Sequence, residues 1–454
     1  MPATATGRGA QVILDGDAQR AARGAYASTQ LGNTMYLEDL ERAGVVADGF
    51  STPDGTTRTG APASDYLLGA TLSGSETANL AAMTRSALAA SSSNPRINPV
   101  MTTPPTVTTG TSAVAGLTNI WGGYPPTRTE AFNFYGGVPT HDGVGYFQFN
   151  STTVNGSYSP STCRIETVID SVKVAYRVLN PGGCVARFIV NGQYASLTPL
   201  AVPAGEIYIT LDFTSAGGRA RRTLTMETDC HFQSLSTAPT ETLTKPMGRP
   251  TRLFVIGDSF ASGGGASNKF NSFPQVMADL LGARDLWNNG VGGTGYLTTG
   301  GQTTFRQRLG DMVTAAPDIA VIVGGHNDTG VFTPAQVKTE LLTYLSAIRA
   351  QSVLGRTFLI IAGVNGANQA LAVTQPMETA MAAAVTSFGD PQVYFVPQVT
   401  NAAGPYFTGT GNTASPNGTG NCDIYIGSDT IHPNDGGHAY MARCLADDIA
   451  RLVL

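Results

Sequence analysis

Apolar and polar residues alternate with a period of two between about residue 116 and residue 244. In residues 172–178, the apolar side chains at even positions fall on one face of an extended chain, while Lys173, Ala175 and Arg177 fall on the other. Clusters of Gly, Pro, Asn and Ser separate several such stretches. This pattern is typical of antiparallel strands with one buried face. It predicts a β-sandwich in this region, with a jelly roll as the expected form.

From residue 251 onward, short apolar runs alternate with amphipathic stretches of helical period. The apolar runs predict buried strands at 253–256, near Leu286, and at 319–323, 357–362 and 393–396. The amphipathic stretches predict helices at 273–281, 334–351, 377–388 and 437–454. Strands that alternate with helices predict a doubly wound parallel α/β sheet of about five strands, with a flavodoxin-like order.

The first 110 residues carry the weakest pattern. Short helices are predicted at 17–26 and 33–43, and a longer one at 76–90. A Ser/Thr/Pro-rich stretch at 91–112 predicts a linker or an extended arm. The chain is therefore divided into an N-terminal arm (1–112), a β-sandwich (113–245) and an α/β domain (246–454). The arm either serves oligomerisation or docking on a larger assembly, or is a flexible leader.

Composition narrows the function classes without naming one. A chain of 454 residues is expected to form two or three domains. A formal charge of -5 gives no basic patch for nucleic acid. No run approaches 18 apolar residues, so no membrane span is expected, and the short run at Val12-Ile13-Leu14 is no signal-peptide core. The cellular location stays open.

The five cysteines show no CxxC spacing and no neighbouring group of histidines, so a zinc site is not expected. We expect neither a metal nor a cofactor. Cys163 with Cys184, or Cys422 with Cys444, are candidates for pairing in an oxidising compartment. The odd number of cysteines makes free thiols an equally good interpretation.

Polar residues that can carry chemistry follow the ends of two predicted strands and one C-terminal loop. Ser259 follows the strand at 253–256, and Asn327 follows the strand at 319–323. Asp429 and His432 lie three residues apart shortly before the last helix. Because ligands bind at the carboxyl ends of the strands in open α/β sheets, we expect these four residues to meet at one edge.

Four sequence blocks in one order resemble those of the SGNH/GDSL hydrolases. GDS supplies Ser259, the stretch WNNGVGGTG supplies a glycine, GHND supplies Asn327, and DTIHPN supplies Asp429 and His432. The resemblance covers roughly the last 200 residues, a typical domain size. It implies an SGNH hydrolase fold and an esterase activity that needs no metal. Chains of this family with an N-terminal jelly roll occur among carbohydrate deacetylases.

The resemblance implies a role for each residue. Ser259 is the nucleophile, His432 the base that lifts its proton, and Asp429 the group that orients the imidazole. The oxyanion hole consists of the backbone N–H groups of Ser259 and Gly293 and the side-chain amide of Asn327. Three other glycines compete with Gly293 for its place: Gly290, Gly292 and Gly295. As alternatives, Ser259 caps the following helix and Asp429 caps a turn.

Other polar residues near these blocks are interpreted as structural. Asp258, His326 and Asp328 are expected to hold turns, and His438 to cap or pack against a helix. The Gly-rich stretch at 404–427 is long for a loop and lies just before Asp429, which favours a functional role. No GxSxG motif surrounds the serine, which argues against the α/β-hydrolase superfamily.

Two functions follow as hypotheses. The first is a serine esterase that removes short acyl groups, chiefly acetyl, from a polysaccharide or glycan. The second is a structural or adhesive particle component, such as a phage tail or capsid decoration protein, that binds host surface glycan. A set of aromatic residues either forms a sugar-stacking surface or belongs to the sandwich core, and the core is favoured: Trp121, Tyr124, Phe132, Phe134 and Tyr135.

Overall fold

The structure is a computed structural model that describes residues 100–122, 128–141, 145–150, 162–246, 248 and 250–453. The short helices predicted in the first 90 residues and most of the N-terminal arm lie outside the described residues. Within the described ranges, the chain forms an antiparallel β-sandwich followed by an α/β domain. The predicted fold class is confirmed for these two parts.

The sandwich consists of fourteen described strands. They are β1 (Thr106–Gly110), β2 (Asn119–Gly122), β3 (Asn133–Tyr135), β4 (Val138–His141), β5 (Phe147–Asn150), β6 (Cys163–Ser171), β7 (Lys173–Asn180), β8 (Val185–Val190), β9 (Gln193–Tyr194), β10 (Leu200–Ala201), β11 (Gly205–Asp212), β12 (Ala220–Thr228), β13 (His231–Thr237) and β14 (Leu243–Thr244). One sheet has the order β1-β11-β7-β13-β5-β4, and β2 also pairs with β13. The other has the order β10-β8-β12-β6-β14, and β3 and β9 pair with β6 and β8.

The alternation in the sequence decides which side chains fill the space between the two sheets. On β7, Val174, Tyr176 and Val178 are fully buried, while Lys173 and Arg177 are partly exposed. Three of the five aromatic residues considered for sugar stacking pack in this core, and Tyr135 is buried with its hydroxyl donating to Glu166. Trp121 and Phe132 are buried members of the cluster, and Phe134 packs against it. Tyr124 lies outside the described residues.

Of the two forms predicted for 91–112, a linker or an extended arm, the linker is wrong for Thr106–Gly110. These residues form β1, which pairs with β11 along its whole length from Thr106 opposite Asp212 to Gly110 opposite Tyr208. Threonine and valine are β-branched and favour extended backbone, and an open edge of β11 offers ladder partners. The sandwich therefore begins before residue 113.

The α/β domain contains a parallel sheet of five strands. They are β15 (Arg252–Gly257), β16 (Asp285–Gly290), β17 (Ile319–Val323), β18 (Phe358–Ala362) and β19 (Val393–Val396). Their order, β16-β15-β17-β18-β19, is the flavodoxin-like order that the sequence predicts. Side chains of β15 and β17 are buried on both faces, as continuous apolar runs require.

Seven described helices cover or flank this sheet. They are α1 (Ser259–Ser262), α2 (Phe273–Leu280), α3 (Leu309–Ala315), α4 (Pro334–Arg349), α5 (Leu371–Phe388), α6 (Cys422–Tyr425) and α7 (Asp435–Val453). Helix α5 begins before the predicted Met377 and includes Pro376 in its second turn, where proline supplies no N–H for a backbone hydrogen bond. Among the described residues, no helix is long and apolar enough to cross a membrane.

Buried ion pairs join the sandwich to the α/β domain. Arg164 on β6 contacts both Glu227 on β12 and Asp279 on α2, each at 2.5 Å. Arg187 on β8 completes the cluster at 2.5 Å from Glu227, and its guanidinium stacks on Phe270 at 4.1 Å from the ring centroid. Removing one partner of a buried ion pair leaves the other charge unpaired in a nonpolar environment, which is strongly destabilising. The two domains therefore pack as one unit.

Candidate active site

The turn after β15 presents Ser259 at the carboxyl end of this inner strand of the parallel sheet. Asp258 caps α1 by accepting a hydrogen bond from the Phe260 N–H at 2.9 Å, and burial raises the pKa of this carboxyl to about 7. Gly257 is required by close packing, because a Cβ there would lie 2.7 Å from the Ala261 Cβ. Asp258 therefore has the turn-holding role expected of it, and Ser259 begins the short helix.

Ser259, His432 and Asp429 form one chain of hydrogen bonds. The His432 Nε2 lies 2.8 Å from the Ser259 Oγ, and the His432 Nδ1 lies 2.6 Å from the Asp429 Oδ2. A carboxylate accepts, so Nδ1 carries the hydrogen and Nε2 is free to accept from the serine hydroxyl. The structure therefore brings together the three side chains to which the resemblance gives the roles of nucleophile, base and orienting group.

Backbone groups hold the Asp429 carboxylate in its ionised form. Its Oδ1 accepts hydrogen bonds from the N–H groups of Ile431 at 3.0 Å and His432 at 2.9 Å. Partial burial opposes ionisation, but these hydrogen bonds and the His432 imidazole outweigh it and lower the pKa of Asp429. The carboxylate is therefore negatively charged at neutral pH, as an orienting group must be to stabilise an imidazolium.

The turn between Asp429 and His432 is braced from the loop that follows β18. Thr430 has a φ of 67° and Asn368 a φ of 58°, a left-handed backbone region that is costly for most residues. The Asn368 side-chain amide donates a hydrogen bond to the Thr430 carbonyl oxygen. Two strained residues thus support each other beside the triad. The sequence offers no sign of this contact beyond the tolerance of asparagine for such backbone.

Two glycines that follow α1 make room for the histidine. A Cβ at Gly264 would lie 2.7 Å from the His432 Cδ2 and 3.0 Å from its Nε2. A Cβ at Gly265 would lie 2.9 Å from the His432 Cβ and 2.3 Å from the Pro433 oxygen. At each glycine, the shorter of the two distances is below 3.0 Å, which is too short for a real Cβ contact. Sequence reasoning missed both glycines, since a Gly-rich stretch by itself indicates only a turn.

We expect Gly264→Ala to lower kcat by about 10- to 100-fold, because the new methyl group would displace the imidazole from Ser259. The melting temperature should change much less, since Gly264 has an ordinary backbone conformation that alanine can adopt. Gly110→Ala is the matched control, because a Cβ at Gly110 meets nothing within 4 Å. Equal kcat values for both variants and the wild type would contradict this role.

The loop after β16 runs along Ser259 and carries the candidate oxyanion glycines. A Cβ at Gly292 would lie 3.8 Å from the Ser259 Cβ, and Gly293 has a φ of 75°. The other two competitors have packing roles. A Cβ at Gly290 would lie 2.3 Å from the Ser262 nitrogen, and one at Gly295 would lie 2.4 Å from an Asp328 carboxylate oxygen. Close packing thus explains why residues 290 and 295 are glycines. Gly292 and Gly293 remain as candidates for the oxyanion donor.

Asn327 follows β17 and contacts the loop that follows β16. Its side-chain Nδ2 donates to the Thr294 carbonyl oxygen at 2.9 Å. A side-chain amide has two N–H groups, so this bond fixes the amide and leaves a second donor. The structure therefore brings the Asn327 amide to the backbone that contains Gly293, beside Ser259.

Asp328 organises the start of this loop from within the protein. Its buried carboxylate accepts hydrogen bonds from the N–H groups of Tyr296 at 2.8 Å, Leu297 at 3.0 Å and Thr298 at 2.8 Å. The Thr298 hydroxyl adds a fourth at 2.9 Å. Such a set fixes the backbone of the loop, so the structural role expected for Asp328 agrees with these contacts.

Arg308 connects the same loop to β15 by hydrogen bonds. Its guanidinium donates to the Gly257 carbonyl oxygen at 3.1 Å and to the Thr294 hydroxyl at 3.0 Å. It also donates to the Asn289 side-chain oxygen at 2.9 Å. Burial lowers the pKa of Arg308 to about 10, which still leaves it charged at neutral pH. No sequence signal marks this residue, because nothing around Arg308 distinguishes a buried arginine from a surface one.

Two further histidines have structural contacts. His326 donates from Nδ1 to the Asn365 carbonyl oxygen at 2.9 Å, and its ring packs against Phe260. His438 on α7 is fully buried, with Nε2 at 2.8 Å from the Gly264 oxygen and Nδ1 at 3.3 Å from the Phe273 nitrogen. Burial lowers the pKa of His438 to about 4. The packing role expected for His438 therefore matches its position.

The protein should lose stability on acidification through His438. A depressed pKa means that neutral His438 stabilises the fold above about pH 6.5 and that this contribution is lost as pH falls toward 4. We expect the wild type to lose roughly 3 kcal/mol of unfolding free energy at pH 4 from this group. Urea unfolding at pH 7 and pH 4 should show a smaller loss for His438→Gln. A variant with the same pH dependence as the wild type would contradict this assignment.

The Gly-rich stretch at 404–427 is a folded support for His432. Its end forms α6, and the Gly427 N–H donates to the His432 carbonyl oxygen at 2.8 Å. The Asn434 N–H donates to the Tyr425 oxygen at 2.9 Å, so both sides of the histidine are held. Within the loop, Asp423 accepts from the Asn417 N–H at 3.0 Å. The loop thus fixes the backbone around His432.

Part of this chain matches the model of a known protein family. Residues 255–440 match the model of the GDSL-like Lipase/Acylhydrolase family. This stretch contains Ser259, Gly293, Asn327, Asp429 and His432. Among curated protein sequences, none matches this chain.

The chain is similar to solved structures that include both of its described domains. One is a family two carbohydrate esterase from Cellvibrio japonicus, at 13% identity and a TM-score of 0.52, covering 77% of this chain and 99% of that one. Another is a salicylyl-acyltransferase from a tetracycline biosynthetic pathway, at 17% identity and a TM-score of 0.50, covering 71% of this chain and 96% of that one. At these identities the likeness shows a shared fold.

Proposed function

We propose that this chain is a serine esterase that removes short acyl groups, chiefly acetyl, from a carbohydrate. The match of residues 255–440 to the GDSL-like Lipase/Acylhydrolase family supports an ester hydrolase. The observation that carries the mechanism is the hydrogen-bonded chain from Ser259 through His432 to Asp429. A serine nucleophile needs a base within hydrogen-bond reach, and the base needs a group that orients it, which is the arrangement of these three side chains.

The reaction proceeds in two halves. His432 Nε2 takes the hydroxyl proton as the Ser259 Oγ forms a bond to the ester carbonyl carbon, which gives a tetrahedral oxyanion. Collapse of this intermediate breaks the bond to the alcohol oxygen, which receives the proton from His432. Water then attacks the acyl-enzyme, again with His432 as base, and the acid is released. Asp429 keeps the imidazole in the required tautomer and stabilises its protonated form.

The oxyanion is stabilised by three donors in this proposal: the backbone N–H groups of Ser259 and Gly293 and the Asn327 amide. The loop carrying Gly293 is fixed by Asp328 and Arg308, so its N–H groups need no reorganisation during the reaction. The Asn327 amide is fixed by its bond to Thr294. Preorganised donors of this kind are the largest single source of rate in many acyl-transfer enzymes.

We expect Asn327→Ala to lower kcat by about 10²- to 10³-fold with little change in KM, since the lost donor serves the transition state more than the bound ester. Steady-state hydrolysis of nitrophenyl acetate measures both constants. A rise in KM at constant kcat would place Asn327 in ground-state binding instead. Circular dichroism and the melting temperature check that the loop keeps its fold.

The carbohydrate assignment is supported by the architecture. The fold that this chain shares with the Cellvibrio japonicus carbohydrate esterase includes the sandwich as well as the α/β domain. The test is acetate release from acetylated xylan and from acetylated simple sugars, with Ser259→Ala as the blank. A nitrophenyl series from acetate to octanoate then gives the preferred acyl length. Activity that rises with chain length and no release of acetate from any acetylated sugar would refute the carbohydrate part and leave a lipid esterase.

The second hypothesis, a virion or adhesive component that binds host glycan, stays a prediction. It depends on an anchoring role for residues 1–112, nearly all of which lie outside the described residues. The test is the molecular mass by size-exclusion chromatography with light scattering, for the full chain and for a chain without residues 1–99, which keeps β1 of the sandwich. Loss of an oligomer on truncation would support the anchoring arm, and a monomer in both cases would oppose it.

A further inference from the structure

Cys184 and Cys230 lie opposite each other at one end of the sandwich. Strands β8 and β12 run antiparallel with Ala186 opposite Thr228, and continuing this register places Cys184 opposite Cys230. The sulfur atoms of both lie within 4.8 Å of each other and of an Asp229 ligand oxygen. Both cysteines are buried, and both are free thiols in this structure.

The pairing of Cys163 with Cys184, expected as one possibility from the sequence, is wrong. Cys163 lies on β6 opposite Thr228, on one side of β12, whereas Cys184 lies on the other side with β8. Two strand spacings separate these positions, about 9.6 Å, and a disulfide needs Cα atoms within about 7 Å. Directly opposed residues of an antiparallel pair, in contrast, have Cα atoms about 4.5–5.5 Å apart, inside the range of disulfides.

We infer that Cys184 and Cys230 are an oxidation site of the protein and form a reversible intrachain disulfide in an oxidising environment. Cys184 follows the exposed turn of residues 181–183, in which Gly182 and Gly183 have φ values of 149° and 69°. Backbone of this kind can adjust when the sulfur atoms approach to bonding distance. The same turn gives an oxidant a way to Cys184 by a local opening.

A metal ion fits this cluster less well, because the carboxylate of Asp229 is already occupied. Its Oδ1 accepts a hydrogen bond from the Val185 N–H at 2.8 Å, and its Oδ2 lies 3.7 Å from the Lys269 ammonium. The Lys269 ammonium would repel a metal cation, and it already serves as the positively charged partner of the Asp229 carboxylate. Two sulfur atoms alone fall short of the four ligands of a structural zinc site.

The oxidation needs a disulfide reagent such as oxidised glutathione as the electron acceptor. The Cys184 thiolate attacks one sulfur of the reagent and releases one glutathione thiolate. The Cys230 thiolate then attacks the Cys184 sulfur of this mixed disulfide and releases the second. The protein loses two electrons and two protons, and one oxidised glutathione becomes two reduced molecules. The hydrogen bond from Cys230 lowers the pKa of Cys184, which favours Cys184 as the attacking group.

The bond would strengthen the end of the sandwich that contacts the α/β domain. Asp229, beside Cys230, reaches Lys269 in the short helix Lys269–Asn271 that precedes α2. A cross-link between β8 and the β12–β13 turn restricts the unfolded chain and holds this turn in place. The oxidised protein is therefore expected to melt several degrees above the reduced protein.

The test uses the full-length protein equilibrated in buffers of varied reduced and oxidised glutathione, followed by acid quench, alkylation and peptide mass spectrometry. We expect one cross-linked peptide pair containing Cys184 and Cys230, with the mass of two hydrogens lost. Cys184→Ser and Cys230→Ser should both abolish it, and Cys163→Ser should keep it. The melting temperature of each variant in reducing buffer checks that it folds.

Three results would overturn the inference. The first is that both cysteines stay alkylatable at every glutathione ratio in a folded protein. The second is a bridge that links other cysteines, such as Cys422 with Cys444. The third is stoichiometric binding of zinc, measured by plasma emission after dialysis against zinc chloride. This zinc would have to be absent from both serine variants and to protect the two thiols from oxidation. Failure here would leave the esterase assignment untouched, since the test reads no activity.

Discussion

Ser259→Ala is expected to remove ester hydrolysis almost completely, with kcat for nitrophenyl acetate falling by roughly 10⁴- to 10⁶-fold. The variant lacks the atom that attacks the carbonyl carbon, so His432 has no proton to take and no acyl-enzyme forms. The oxyanion donors remain, and they account for any residual rate above that in water. KM should change little, because the alanine removes no group that binds the ester in its ground state.

Ser262→Ala is the matched control for this experiment. Ser262 ends the same short helix, is exposed and donates its hydroxyl to the Ser259 carbonyl oxygen at 3.0 Å. Its loss removes a serine of the same helix without touching His432, and kcat should stay within a few-fold of the wild type. Equal background rates for the wild type and Ser259→Ala on every ester would refute the proposed mechanism. Equal losses in the two variants would point to damage of the helix.

Asp429→Asn is expected to lower kcat by about 10³- to 10⁴-fold, the second largest effect. The change keeps the size of the side chain, but an amide facing Nδ1 can donate its N–H and favour the tautomer with hydrogen on Nε2. His432 would then present a donor to the Ser259 hydroxyl where an acceptor is needed. The loss of charge also removes the stabilisation of the imidazolium that forms during attack.

The control for this variant is Asp435→Asn. Asp435 follows His432 by three residues and accepts hydrogen bonds from the Ser267 N–H at 2.7 Å and the Asn271 amide at 2.9 Å. It is a carboxylate of the same region whose described contacts lie away from the imidazole. Rates measured from pH 5 to 10 for both variants separate the two roles. A fall in kcat of less than 10-fold for Asp429→Asn would mean that His432 keeps its tautomer without Asp429.

The parallel sheet could be predicted from the sequence because each strand is a local feature. Apolar runs such as the one over Ile319–Val323 are bounded by proline and glycine. Because these strands are buried on both faces, their sequence is continuously apolar and easy to recognise as a strand. The proximity of Ser259, Asn327 and His432 could be predicted for the same reason, since the ends of parallel strands share an edge. The roles of these residues came from a resemblance and stay predictions until variants are measured.

The supports of the site could not be predicted, because they depend on contacts between distant segments. Arg308 reaches the strand before Ser259 across 51 positions, and no local pattern marks it. Gly264 is explained only by the position of an imidazole 168 positions later. Asn368 and Thr430 share a contact that joins two loops. Each case needs the tertiary fold before the residue can be interpreted.

Strand β1 and the cysteine pair show a second limit of sequence reasoning. The Pro-rich surroundings of Thr106–Gly110 suggest a linker, and only the open edge of β11 makes the segment a strand. Cys163 with Cys184 is one of two candidate pairs from the sequence, whereas register decides which cysteines face each other. Pairing in antiparallel sheets is set by the ladder, which local composition does not reveal.

The central claim is that Ser259 becomes covalently acylated. The direct measurement is peptide mass spectrometry of the protein mixed with nitrophenyl acetate in excess and quenched in acid within milliseconds to seconds. We predict that the peptide containing Ser259 gains the mass of one acetyl group, and that the same peptide of His432→Ala gains none. Steady hydrolysis by the wild type with no acetylated Ser259 at any quench time, or with the acetyl group on another residue, would contradict the proposed mechanism.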